Sequence, residues 1–104
     1  MIRVARLRHR VELLRPVYGE DVGFGGVTGY ESEGMVWAEF LRPRFVQADS
    51  GVATEITQGI RIRPRPIEKG WKVRRGADEF YVLHVDDSTA GEIILTTKGV
   101  DPGG

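Results

Sequence analysis

From residue 52 the chain alternates with a period of two. Val52, Thr54, Ile56, Gln58, Ile60 and Ile62 fall on one side, and Glu55, Thr57, Arg61 and Arg63 on the other. Successive side chains of a strand leave on opposite faces, so this pattern predicts a strand with one buried and one wet face. Leu7-Arg8-His9-Arg10-Val11-Glu12-Leu13 repeats it, with Leu7, His9, Val11 and Leu13 opposite Arg8, Arg10 and Glu12. The remaining strand candidates are shorter. The first strand is expected over Leu7 to Arg15, ending at Pro16, and the second over Met35 to Arg42, ending at Pro43. The third is the long alternation ending at Arg63, and the fourth runs from Trp71 to Arg75. Gly76-Ala77-Asp78 turns that strand into Phe80 to Val85, and a hairpin loop over Asp86 to Gly91 leads into Glu92 to Lys98. Proline cannot donate to a ladder, which is why it bounds the first three.

Short strands separated by turn signals predict an all-β, mainly antiparallel fold: a small single-domain barrel or sandwich of about six strands spanning 1–104. A helical turn is expected only at Ile2 to Leu7. Two connections are long for such a fold, 17–34 with its many glycines and 44–51. Connections of this length are functional or disordered, so they read either as arms that order on a partner or as surface loops without a role. The tail over 100–104 is expected to fray.

Composition narrows the function. The 104 residues suit one modest core, and 15 basic against 15 acidic residues leave no net charge to attract nucleic acid or an anionic membrane. The charges are segregated: Arg3, Arg6, Arg8, Arg10 and Arg15 face only Glu12 in the first fifteen residues. Glu20, Asp21, Glu31, Glu33 and Glu39 follow without a Lys or Arg. Such segregation suits contacts between copies or with partners, or simply a solvated surface. Arginine outnumbers lysine, and its planar fork favours bidentate contacts at interfaces. The absence of Cys removes disulfides, thiolate nucleophiles and cysteine-ligated zinc. No apolar run reaches the about 20 residues of a membrane helix. Arginines interrupt the N-terminal stretch where a signal peptide would be apolar, so a soluble protein made and used without export, with no membrane partner, is expected.

Candidate chemistry is sparse. His84 shares a predicted face with Phe80 and Val82, and His9 with Leu7 and Val11, so both are expected to be partly buried structural histidines. Asp86-Asp87 could ligate a hard cation, but with Ser88 it reads more simply as a turn opener. Gly23-Phe24-Gly25-Gly26 has only glycine content in common with a phosphate-cradling loop. No catalytic residue, metal ligand or cofactor site is expected, and the chain is read as a non-enzyme. Trp37 and Trp71, with Phe40, Phe80 and Tyr81, are core and rim aromatics. They could alternatively stack bases beside Arg61 and Arg63 as in a small nucleic-acid-binding barrel.

Taken in order, the segments resemble the phage head-tail joining proteins, also termed head-closure or head-completion proteins. The resemblance rests on Leu7-Arg8-His9-Arg10-Val11, Asp21-Val22-Gly23, Val36-Trp37-Ala38, Thr57, Ile60-Arg61-Ile62-Arg63, Gly76, Phe80-Tyr81-Val82-Leu83-His84-Val85 and Asp86-Asp87. It covers about residues 7 to 97. Pro64 stands where that family more often continues with an aromatic, and Tyr30 where a tryptophan is common. The resemblance implies a subunit of a ring beneath the portal and its adaptor, closing the DNA-filled head and offering a docking surface to the tail. The alternative is another tail-completion component. Partners would be further copies, portal or adaptor, and tail proteins, with non-specific contact to packaged DNA. The expected place is the head-tail interface of the virion, reached from the bacterial host cytoplasm during assembly. By position, the resemblance assigns a channel-facing loop to Phe45, Val46, Gln47, Ala48, Asp49, Ser50 and Gly51, with Arg42 and Arg44 at its base. The outward alternation of Arg8, Arg10, Arg61 and Arg63 marks them as a candidate partner-facing surface.

Overall fold

A computed structural model describes residues 7–19, 26–47 and 54–100. Seven strands run in chain order: β1 (His9–Tyr18), β2 (Val27–Phe40), β3 (Arg44–Gln47), β4 (Thr54–Ile62), β5 (Lys72–Arg75), β6 (Asp78–Asp86) and β7 (Ile93–Gly99). All pairings are antiparallel, in the order β2-β1-β5-β6-β7-β4-β3. A short ladder from β2 to β4 closes the sheet on itself, pairing Ala38 with Ile62, Glu39 with Arg61 and Phe40 with Ile60. The fold is all-β and antiparallel, as the alternation predicts; of the barrel and sandwich expected it is the barrel, with seven strands where about six were expected. No helix occurs among the described residues, and the helical turn expected at Ile2 to Leu7 falls almost wholly outside them.

The apolar face of each strand builds one core. Val11 and Leu13 of β1 meet Ala38, Ile60, Ile62, Val73, Val82, Ile93 and Leu95 from the other walls, with Ile67 and Trp71 added from the segment before β5. Removing this apolar surface from water supplies the main driving force for closure. Thr97 is the buried polar side chain, and its hydroxyl donates to the Gln58 carbonyl at 2.9 Å. That bond removes the cost of burying it.

Both long loops need correction. Val17 and Tyr18 extend β1, and Val27 to Gly34 form the first half of β2; only 20–25 lie outside the described residues. Likewise Arg44 to Gln47 form β3 against Thr54 to Thr57, with 48–53 outside the description. These stretches are hairpin arms standing beyond the barrel wall. On the first arm, the β2 residues from Val27 to Gly34 are exposed or half-buried, so the apolar alternation that betrays a strand is missing there. Pro16 does not stop β1 because the second ladder of that strand, to β5, has already ended at Leu14. At an edge the missing N–H costs no ladder bond.

A β-bulge explains a further difference. The register of β6 on β7 shifts between Val82 and His84. The extra residue reverses the facing of the side chains beyond it. Val85, not His84, therefore packs against the core, and His84 is exposed rather than partly buried. His9 is exposed as well, standing at the barrel rim with its ring edge-on to Phe40 at 5.1 Å.

Candidate functional site

The outward arginines divide by whether a carboxylate of the same chain engages them. Arg61 lies across the closing seam from Glu39. Its Nη1 donates to Glu39 Oε1 at 2.5 Å, and its Nε lies 3.4 Å from Glu92 Oε2. The second contact is not aligned for a hydrogen bond, so Nε is buried without one. The hydrogen bond to Glu39 holds the Arg61 guanidinium above its ordinary pKa. Arg61 is only 22% exposed at its side chain, a staple joining β2 and β4 to the residue before β7 from outside. Arg74 is engaged too, donating to Glu12 across the β1–β5 ladder. The Ser32 hydroxyl first, and Arg74 second, hold the Glu12 carboxyl below its ordinary value. Arg15 contacts Glu31 at 2.8 Å and Glu33 at 3.3 Å on the first arm.

Arg10 and Arg63 have no carboxylate partner among the described residues, and both adjoin Trp37. Arg10 lies opposite Trp37 in the β1–β2 register, with its guanidinium 5.9 Å from the ring centroid. Such stacking leaves the charge available while holding the side chain in place. Arg63 is one residue past the end of β4. Pro64 lacks the N–H to continue the β2 ladder, so the chain parts from β2 there. The gap is a cleft of about 490 Å³ lined by Leu7, Val36, Trp37, Arg63, Pro64 and Arg65. Trp37 remains 53% exposed beside it, an unusual state for the largest apolar side chain. Arg8 lines a separate shallow opening with His9, Glu39 and Phe40.

Each arm carries an exposed apolar pair in direct cross-strand register. Tyr18 faces Val27 near the end of the β1–β2 arm, and Phe45 faces Ile56 on the β3–β4 arm. Phe45 is 74% exposed, the highest among the described large apolar residues. Periodicity could not have found the first pair or Trp37, since neither belongs to a predicted buried face. Of the expected channel-facing loop, Arg42 and Arg44 are exposed at the foot of the second arm, Val46 and Gln47 complete β3, and Ala48 to Gly51 lie outside the described residues.

Asp86 behaves as a turn residue. Its Oδ1 accepts the Ser88 hydroxyl at 2.6 Å and the Ser88 N–H at 2.9 Å, which hold its carboxyl below the ordinary value. A second opening of about 600 Å³ beneath the β3–β4 arm brings Arg42 and Arg44 near His84 and Asp86. No group of three His, Asp or Glu side chains gathers among the described residues to hold a metal. The arrangement offers surfaces for contact, built from apolar pairs, an exposed indole and arginines.

A family model described as phage head completion protein matches residues 2–99. Among solved structures, a chain from the virion of a native gene transfer agent particle superposes with a TM-score of 0.71 at 20% identity, covering 91% of this chain and 96% of that one. Protein SF1141 from Shigella flexneri 2a superposes with a TM-score of 0.61 at 16% identity, covering 97% and 99%. No curated protein matches.

Proposed function

The chain belongs to the phage head completion protein family, and from that premise we propose that it is a ring subunit beneath the portal or its adaptor. There it closes the DNA-filled head and presents a docking surface to the tail. The observation that carries this reading is the pair of hairpin arms whose apolar cross-strand pairs are left in water beyond the barrel. Exposed apolar patches of this kind mark interaction surfaces. Arg8, Arg10 and Arg63 remain assigned to the partner-facing surface, whereas Arg61 serves the seam. The β3–β4 arm, with Arg42 and Arg44 at its foot, is the segment assigned to the channel and to non-specific contact with packaged DNA. Zero net charge argues against a stand-alone nucleic-acid-binding role.

The test replaces Arg8, Arg10 and Arg63 together with Ser in a phage that depends on the chain. Filled heads that fail to acquire tails are expected, with the variant folded. Normal yields of infectious tailed particles would remove the assignment.

A further inference from the structure

The Trp37 cleft is apolar at its floor and cationic at its rim, with Arg63 and Arg65 lining it, Arg10 on the indole, and no acidic residue among the described lining. On the premise of a ring, we infer that this cleft receives the β1–β2 arm of the next copy. Tyr18 and Val27 would enter against Trp37, with Glu31 and Glu33 facing the arginine rim.

Three observations select this occupant. First, the arm and the cleft lie at opposite ends of β2. Val27 and Trp37 are ten residues apart on one extended strand, which at strand rise separates them by roughly 30 Å. A copy cannot fill its own cleft, so the contact is heterologous, as a closed ring requires. Second, charge distinguishes the two arms. The described part of the β1–β2 arm carries Glu31 and Glu33 against Arg15, an excess of carboxylate. The described part of the β3–β4 arm carries Arg42 and Arg44 at its foot against Glu55, and like charge at a cationic rim is penalised. Third, the arm's apolar pair and Trp37 stay largely exposed: Tyr18 is 61% exposed, Val27 48% and Trp37 53%. A buried aromatic anchor inside a charged rim is the arrangement of an interface hot spot.

The chain has no cysteine, so a single engineered thiol reports the cleft cleanly. Purified full-length chain carrying Pro64→Cys, and separately Arg65→Cys, is labelled with a maleimide while unlabelled wild-type chain is added at high concentration. Wild type is expected to slow labelling about tenfold at a concentration ten times its dissociation constant. A Phe45→Ser/Ile56→Ser chain should protect equally well, and a Tyr18→Ser/Val27→Ser chain should not. Failure of wild type to protect either thiol overturns the inference. So does equal protection by the Tyr18→Ser/Val27→Ser chain, loss of protection with the Phe45→Ser/Ile56→Ser chain, or protection by duplex DNA alone. The particle assay alters two arginines of the same cleft but reads tail attachment, so the two readings can fail separately. Tail attachment lost through the arginines with no thiol protection would retain the ring reading and reject this contact.

Discussion

Arg61 and Arg63 are two residues apart on one face of the sequence pattern, yet their surroundings separate them. Arg61 meets Glu39 across the seam and Glu92 beside the start of β7, and Arg63 meets no carboxylate among the described residues. Replacing Arg61 with Ala leaves Glu39 and Glu92 without their cation in a half-buried setting. The expected loss is about 2 kcal/mol in urea unfolding, since removing one partner strands the others. Adding Glu39→Gln should recover part of it. Glu12 supplies a pH signature. Its folded pKa lies below the ordinary value because Ser32 and Arg74 favour the carboxylate. Its contribution is therefore fully present above the unfolded value and is lost as pH falls from there through the folded one. Unfolding midpoints of wild type and Glu12→Gln measured through that window should converge on acidification. A constant gap between them would contradict the assignment.

Among elements, the β5–β6 hairpin shows local chemistry at its clearest. Arg75 pairs with Asp78, so Gly76 and Ala77 form a two-residue loop, and Gly76 sits at φ +60°. A positive φ at the first loop position suits glycine in the primed turns that match strand twist. A Cβ there would meet nothing within 4 Å, so Gly76→Ala tests the backbone alone. The expected cost is about 1–2 kcal/mol by thermal or urea unfolding, from the left-handed conformation. Gly76→Asn should cost less because Asn tolerates that region. The β6 bulge carries the complementary lesson: a single extra residue at Leu83 turns His84 outward and Val85 inward. The alternation of Phe80, Val82 and His84 contains no sign of it.

For the whole molecule, the barrel is the scaffold and the arms are what it displays. Core side chains hold β1, β2 and β4 to β7 in one closed wall, while Phe45 and Ile56 contribute no contact to that core. Phe45→Ser/Ile56→Ser is therefore expected to shift stability by no more than about 0.5 kcal/mol, as for surface substitutions in general. The same change should reduce incorporation of the chain into particles, read by immunoblot of purified heads. Full incorporation would show that the second arm is dispensable for assembly. The two arms differ in charge as well as position, which lets one chain address two different neighbours.

Where a strand keeps an unbroken register over the core, the linear pattern sufficed. Val11, Leu13, Ile60, Ile62, Val73, Val82 and Leu95 are all in the core, as their alternation requires, because burial on one face imposes a period of two. The Asp86 turn was legible for a similar reason, since its hydrogen bonds reach only two residues along the chain. The first half of β2 left no such trace: from Val27 to Gly34 no side chain is buried, so nothing constrains the order of polar and apolar residues there. Nor could spacing reveal that Arg61 would meet Glu39, 22 positions away, or that Pro64 would open a cleft beside Trp37. Those outcomes depend on barrel closure, which brings β2 to β4 through long-range pairing and decides which outward arginines are neutralised at home and which are left for a partner.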